Sequence, residues 1–164
     1  MMETINVATP QAETLAVLPK QQRLFIGVPK ETILQEHRVA LAPHSVATLT
    51  AHGHRVLVQS GAGEQSKYSD HEYSEAGAEI AGSPEEVFKA DVLVKVAPPT
   101  LAEIDLMRPN QVIISPMHIT LLKAELLEKM MEKRITALSF ENLKDENGTF
   151  PIVRSMSEIA GSSV

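Results

Sequence analysis

The chain has 164 residues, 43% of them hydrophobic, and a formal charge of −6. That length fits one domain with a real core, and the acidity argues against non-specific nucleic-acid binding. The sequence contains no Cys, which excludes a disulfide scaffold, a thiolate metal site and a cysteine nucleophile and fits a reducing cytosol. A cytoplasmic location is therefore expected, and no apolar run approaches the roughly 18 residues of a membrane span.

Residues 1–22 lack the basic start and continuous apolar core of a secretory signal. They read as a flexible N-terminal arm, with packing on a partner subunit through Leu15, Val17 and Leu18 as the alternative. An α/β domain is expected over 23–152, and the start of an outgoing linker helix over 153–164.

The domain opens with an apolar run, Leu24 to Val28, that reads as a buried strand. Pro29 ends it, having no N–H for a ladder. A polar loop, Lys30 to His37, leads to Arg38, which Val39-Ala40-Leu41-Ala42 follows. Such an arginine is either a solvated charge or a fork aimed at a carboxylate or phosphate. Pro43 to His52 has helical spacing of Val46 and Leu49, stopped by Gly53. His54 to Gln59 is the second strand. Gly61-Ala62-Gly63 is a tight strand exit or a place of close backbone approach, and it lacks the third glycine of a dinucleotide fingerprint.

Ser69 or Asp70 caps a short helix closed by Gly77, and Ala78 to Ala81 is a minor strand. Pro84 opens a helix with Glu85 and Glu86 in its first turn. Asp91 to Val96 is the third clear strand, and Pro98-Pro99 forces its exit. Thr100 caps a helix reaching Met107. Gln111 to Ser115 is the next strand, broken by Pro116, with His118 just beyond. Thr120 caps the strongest helix, Leu121 to Lys133. Ile135 to Phe140 is the last strand and Asp145 to Gly148 a turn. Ile152 to Val164 starts as a loop and then turns helical, with Ser155-Met156-Ser157-Glu158 as its capping signal.

Strands alternating with helices of about ten residues predict a mostly parallel sheet with helices on both faces. This is a three-layer, Rossmann-like or flavodoxin-like domain. In such sheets ligands bind at the carboxyl ends of strands, where Arg38, residues 97–99, His118 and Glu141 all fall. His118 is either a proton shuttle facing a cleft or a histidine bonded to local backbone. The other five histidines form no cluster at metal-ligand spacing, so no metal site is expected.

The stretch Gly27-Val28-Pro29-Lys30-Glu31, a short loop, then Arg38-Val39-Ala40-Leu41-Ala42-Pro43 resembles the start of the alanine dehydrogenase and pyridine-nucleotide transhydrogenase family. His52 to Glu64, Ala90 to Val96 and Met156 to Gly161 resemble its later segments, in the same order. The resemblance implies an N-terminal, substrate-side domain of an NAD-dependent alanine dehydrogenase acting on pyruvate or L-alanine. It makes Arg38 the carboxylate ligand and His118 the catalytic acid/base, and Lys95, on the strand face of position 97 by the two-residue repeat, is the candidate second substrate contact. The family typically reads K-V-K-E-P where this chain has Lys95-Val96-Ala97-Pro98-Pro99, so Ala97 replaces a substrate lysine. Transhydrogenases lack that lysine too, and the N-terminal part of a transhydrogenase alpha subunit is the alternative. A stand-alone domain that binds a carboxylate or a partner is a third reading. The family's glycine-rich nucleotide motif is absent here, so no cofactor-binding residue is expected in this chain. NAD would be bound mainly by a second domain, the chain alone would be inactive, and the full-length protein would be a homo-oligomer.

Overall fold

The structure is a computed structural model and describes residues 23–118 and 122–162. The N-terminal arm and the Thr120 cap lie outside the described residues. Six strands form one sheet: β1 (Phe25–Val28), β2 (Arg55–Gln59), β3 (Glu79–Ala81), β4 (Val92–Val94), β5 (Val112–Ser115) and β6 (Thr136–Ser139). Their order is β3-β2-β1-β4-β5-β6 and every pairing is parallel. The expected mostly parallel sheet is thus wholly parallel, in the order of a Rossmann sheet.

Helices α1 (Pro43–Ala51), α2 (Asp70–Glu75), α3 (Pro84–Val87), α4 (Leu101–Leu106) and α5 (Ala124–Glu132) connect successive strands. The chain winds outward from β1 in both directions, which puts them on two faces. Val46 of α1 and Tyr73 of α2 pack on Ile26, Val28, Val56 and Val58. On the opposite face Val87, Ile104, Leu126 and Met130 pack on Leu57, Leu93 and Ile113. The period-2 alternation of the strands sorts these side chains. Gly27 shows how tightly the second layer sits: a Cβ there would lie 2.7 Å from the Val87 carbonyl oxygen and 2.8 Å from Ala90 Cβ.

Local chemistry sets the helix starts. Ser69 and Glu72 form a capping box on α2, and Thr100 and Glu103 form one on α4. Pro43 and Pro84 sit in the first turns of α1 and α3.

The C-terminal segment differs from expectation. Helix α6 runs Pro151–Ser162, so it begins at the proline rather than after a loop. The fixed φ of proline suits a first helical turn. Ser155 and Ser157 lie inside α6, where their hydroxyls donate to the Pro151 and Val153 carbonyl oxygens, so they are not caps.

Candidate functional site

The strand order reverses between β1 and β4, and ligands in open α/β sheets bind outside the carboxyl ends at such a point. A cavity of about 400 Å³ lies there. The loop after β1 contributes Arg38, the loop after β4 Val96, the loop after β5 Pro116 and His118, and the turn after β6 Phe140 and Glu141. Val153, Met156 and Ser157 of α6 close its outer wall. Arg38, His118 and Glu141, separated by as many as 103 positions in sequence (141 − 38), are brought to one cavity.

Arg38 is met by a carboxylate from its own loop. Its Nε donates to Glu36 Oε1 at 2.8 Å and its Nη2 to Oε2 at 2.7 Å. This bidentate pair holds Glu36 below the usual carboxylate range, chiefly through the Arg38 side-chain hydrogen bond, and raises Arg38. Glu36 uses one edge of the fork and leaves the other N–H groups of the guanidinium outside the pair. The Arg38 side chain stays 56% exposed.

His118 has φ +40°, in the left-handed region that a side chain rarely adopts. Glu141 holds it there. The His118 N–H donates to Glu141 Oε1 at 2.8 Å, and the Met117 N–H to Oε2 at 3.0 Å. The same Oε1 lies 3.7 Å from His118 Nδ1. Burial pushes the Glu141 carboxyl up, but the His118 N–H, the nearby Ser139 hydroxyl, the Met117 N–H and the imidazole outweigh it, in that order, and the group sits below its ordinary value.

Lys95, expected beside the substrate, does not line this cavity. Its side chain is fully buried, with Nζ 2.8 Å from Glu31 Oε2 and 2.9 Å from Glu103 Oε1. Glu31 also accepts the Val96 N–H at 2.6 Å, and Glu103 the Thr100 N–H at 2.7 Å. The cluster therefore ties the loop after β1 to the loop after β4, which together frame the crevice. Ala97 is buried as well.

Sequence reasoning missed Glu36, the wall formed by α6 and the partners of Lys95. Glu36 stands two positions before Arg38, a spacing that carries no periodic signal. Glu103 did leave one, because Thr100-Leu101-Ala102-Glu103 is a capping-box pattern.

The glycine loop after β2 does not fit a dinucleotide. The Gly61 N–H already donates to the Asp70 carboxylate at 2.9 Å, an anion where a phosphate would have to sit. Gly63 is filled from behind, since a Cβ there would lie 2.6 Å from the Tyr73 ring. Among the described residues no group of three or more His, Asp or Glu is placed to hold a metal ion. No described helix is long and apolar enough to cross a membrane.

Comparison with known proteins places the chain in a family. Residues 27–160 match the family described as "Alanine dehydrogenase/PNT, N-terminal domain". The chain is 36% identical over 137 residues to an alanine dehydrogenase of Mycobacterium tuberculosis, covering 83% of this chain and 37% of that protein. It is 39% identical over 138 residues to the alanine dehydrogenase of Bacillus subtilis, covering 84% and 36%. Among solved structures, an L-alanine dehydrogenase superposes with TM-score 0.79 at 38% identity, over 83% of this chain and 37% of that one. A transhydrogenase from Sinorhizobium meliloti gives TM-score 0.65 at 34% identity, over 71% and 34%. The chain thus spans little more than a third of the length of these relatives, and it belongs to the alanine dehydrogenase/PNT N-terminal domain family.

Proposed function

We propose that the chain is the substrate-side part of an NAD-dependent L-alanine dehydrogenase. The overall reaction would convert L-alanine, NAD⁺ and water to pyruvate, ammonium, NADH and a proton. The observation that supports this reading is the meeting of Arg38 and His118 at one cavity on the strand-order reversal.

In this reading the Arg38 fork holds the planar carboxylate of pyruvate or alanine. His118 gives a proton to the developing oxygen or nitrogen, or takes one from it. Its Nδ1 faces Glu141, which leaves Nε2 for the substrate. Glu141 fixes the ring by holding the main chain of Met117 and His118. Nicotinamide supplies the hydride chemistry in such reactions. Because the glycine loop does not fit a dinucleotide, no step at the cofactor is assigned to these residues, and the chain alone is expected to show no turnover. Helix α6 would lead toward a nucleotide-binding domain, in a cytoplasmic homo-oligomer.

The test is NADH oxidation with pyruvate and ammonium, on the protein as its native source makes it and on the 164-residue chain beside it. Activity in the native form that is lost in His118→Ala supports the reading. Full activity in that variant rejects His118 as the acid/base.

Ala97 favours a second reading, the N-terminal part of a transhydrogenase alpha subunit. Hydride exchange between two nicotinamide nucleotides, without any effect of pyruvate, would select it.

A further inference from the structure

The chain has one Asn-Gly pair, Asn147-Gly148. It lies in the exposed turn between Glu141, which holds His118, and α6, which walls the cavity. Asp145 organises that turn. Its carboxylate accepts the Asn147 N–H at 2.9 Å, the Thr149 N–H at 2.8 Å and the Thr149 hydroxyl. Its carbonyl oxygen accepts the Gly148 N–H at 2.9 Å. The Asn147 carboxamide has no hydrogen-bond partner among the described residues.

Covalent geometry puts the Gly148 nitrogen within reach of Asn147 Cγ. Its attack forms a bond from nitrogen to Cγ and closes a succinimide. The carboxamide nitrogen leaves as ammonia, carrying the proton lost from Gly148. Water then opens the ring at either carbonyl, leaving aspartate or isoaspartate. A side chain on the following residue normally obstructs the attack. Here there is none, and a Cβ built at Gly148 would meet no atom within 4 Å, so the protein leaves the approach open as well. The other described asparagines, Asn110 and Asn142, precede Gln111 and Leu143. Gln111 is buried and its amide is bound to main-chain carbonyls.

The turn opposes the reaction. Ring closure must take the Gly148 N–H off the Asp145 carbonyl and rotate a peptide that the Asp145 carboxylate holds on both sides. The isoaspartyl product routes the main chain through the former side-chain carbonyl, one methylene longer, and sets a new carboxylate beside Asp145. Helix α6 begins shortly after, at Pro151, and the Arg154 N–H closes its first turn on the Phe150 carbonyl at 2.9 Å.

We propose that Asn147 is a site of spontaneous deamidation through Gly148, that the Asp145 turn sets its rate, and that the isoaspartyl product loosens the start of α6.

The experiment ages the 164-residue chain beside a peptide of residues 141–152 in warm neutral buffer. Peptide mass spectrometry with enzymatic methylation of isoaspartate locates the product. Conversion is expected at Asn147, not at Asn110 or Asn142, and more slowly than in the peptide. Asp145 is exposed, so Asp145→Ala leaves the core intact, and it should speed conversion about fivefold, the factor of one neutral hydrogen bond. Asn147→Gln should stop it. Hydrogen exchange at the Arg154 amide should be faster in the isoaspartyl form than in the unmodified chain. An Asn147 still intact when the peptide is fully converted overturns the proposal. An unchanged rate in Asp145→Ala, or unchanged Arg154 exchange in the isoaspartyl form, overturns it too.

Discussion

Glu141 holds His118 by its main chain: Oε1 accepts the His118 N–H at 2.8 Å while lying 3.7 Å from Nδ1 of the same residue. One carboxylate thus holds a left-handed backbone and lies beside the ring it carries. Glu141→Gln keeps the size but has one accepting oxygen, and its amide N–H₂ would face a backbone donor. We expect a loss of about 1.5–3 kcal/mol, the range for hydrogen bonds to a charged group. It should appear as lower kcat/KM in the active protein and as a broadened His118 ring signal in the 164-residue chain. Folding lowers the pKa of Glu141. Its contribution is therefore present above the ordinary carboxylate range and is lost as pH falls through the lowered folded value. An acid titration followed at the His118 and Met117 amides measures this window, and Glu141→Gln should remove the transition.

Arg38 meets Glu36 before it meets a ligand. Replacing it by Lys keeps the charge but loses the two-pronged geometry. Arg38→Lys is expected to weaken pyruvate binding by about 1.5–3 kcal/mol, roughly ten- to a hundredfold. Glu36→Gln should act in the opposite direction, because it removes an anion competing for the same fork. Calorimetry on both variants checks the pair. Weaker binding in Glu36→Gln would mean that Glu36 orients Arg38 rather than competing for it.

The sheet and its helices were legible because parallel strands buried on two faces leave apolar runs such as Val92-Leu93-Val94, and because Ser69, Pro84 and Thr100 announce helix starts. The site was legible in part. Arg38 and His118 could be placed at strand ends, and the strand order then brought those ends together. The fate of Lys95 was hidden: period-2 alternation gives the face of a side chain, but not whether two carboxylates from other loops await it there. The start of α6 was missed because a proline opening a helix and a proline ending a loop read alike in sequence.

Tyr73 supplies a stability test away from the site. Its side chain is buried in one cluster with Val46 of α1 and Val56 and Val58 of β2, and its hydroxyl donates to the Leu41 carbonyl oxygen at 2.7 Å. Burial pushes its pKa up to about 12. A raised pKa means stability present in full below the unfolded value of about 10 and lost as pH rises through the folded one. Alkaline unfolding between about pH 10 and 12 should therefore track the ionisation of Tyr73. Tyr73→Phe should abolish that dependence while costing about 1 kcal/mol at neutral pH. Urea midpoints at several pH values measure both effects.

The buried Glu31–Lys95–Glu103 cluster gives the largest expected effect on folding. Lys95 is the only cation either carboxylate meets in an ion pair among the described residues. Lys95→Met would leave two carboxylates buried without it, and breaking a buried pair in this way costs about 3–5 kcal/mol. The loss should fall hardest where the cluster acts, on the main chain at Val96 that Glu31 holds. Hydrogen exchange at the Val96 amide should then rise more than exchange across β2. A second change can tell charge from shape. Adding Glu31→Gln to Lys95→Met removes one unpaired charge and should recover part of the loss, since neutral replacement of a whole buried cluster is often tolerated. No recovery in the double variant would place the cost in lost packing of the lysine stem rather than in the uncompensated carboxylate. A substrate contact by Lys95 would show separately, as weaker pyruvate binding in Lys95→Met under conditions where the variant remains folded.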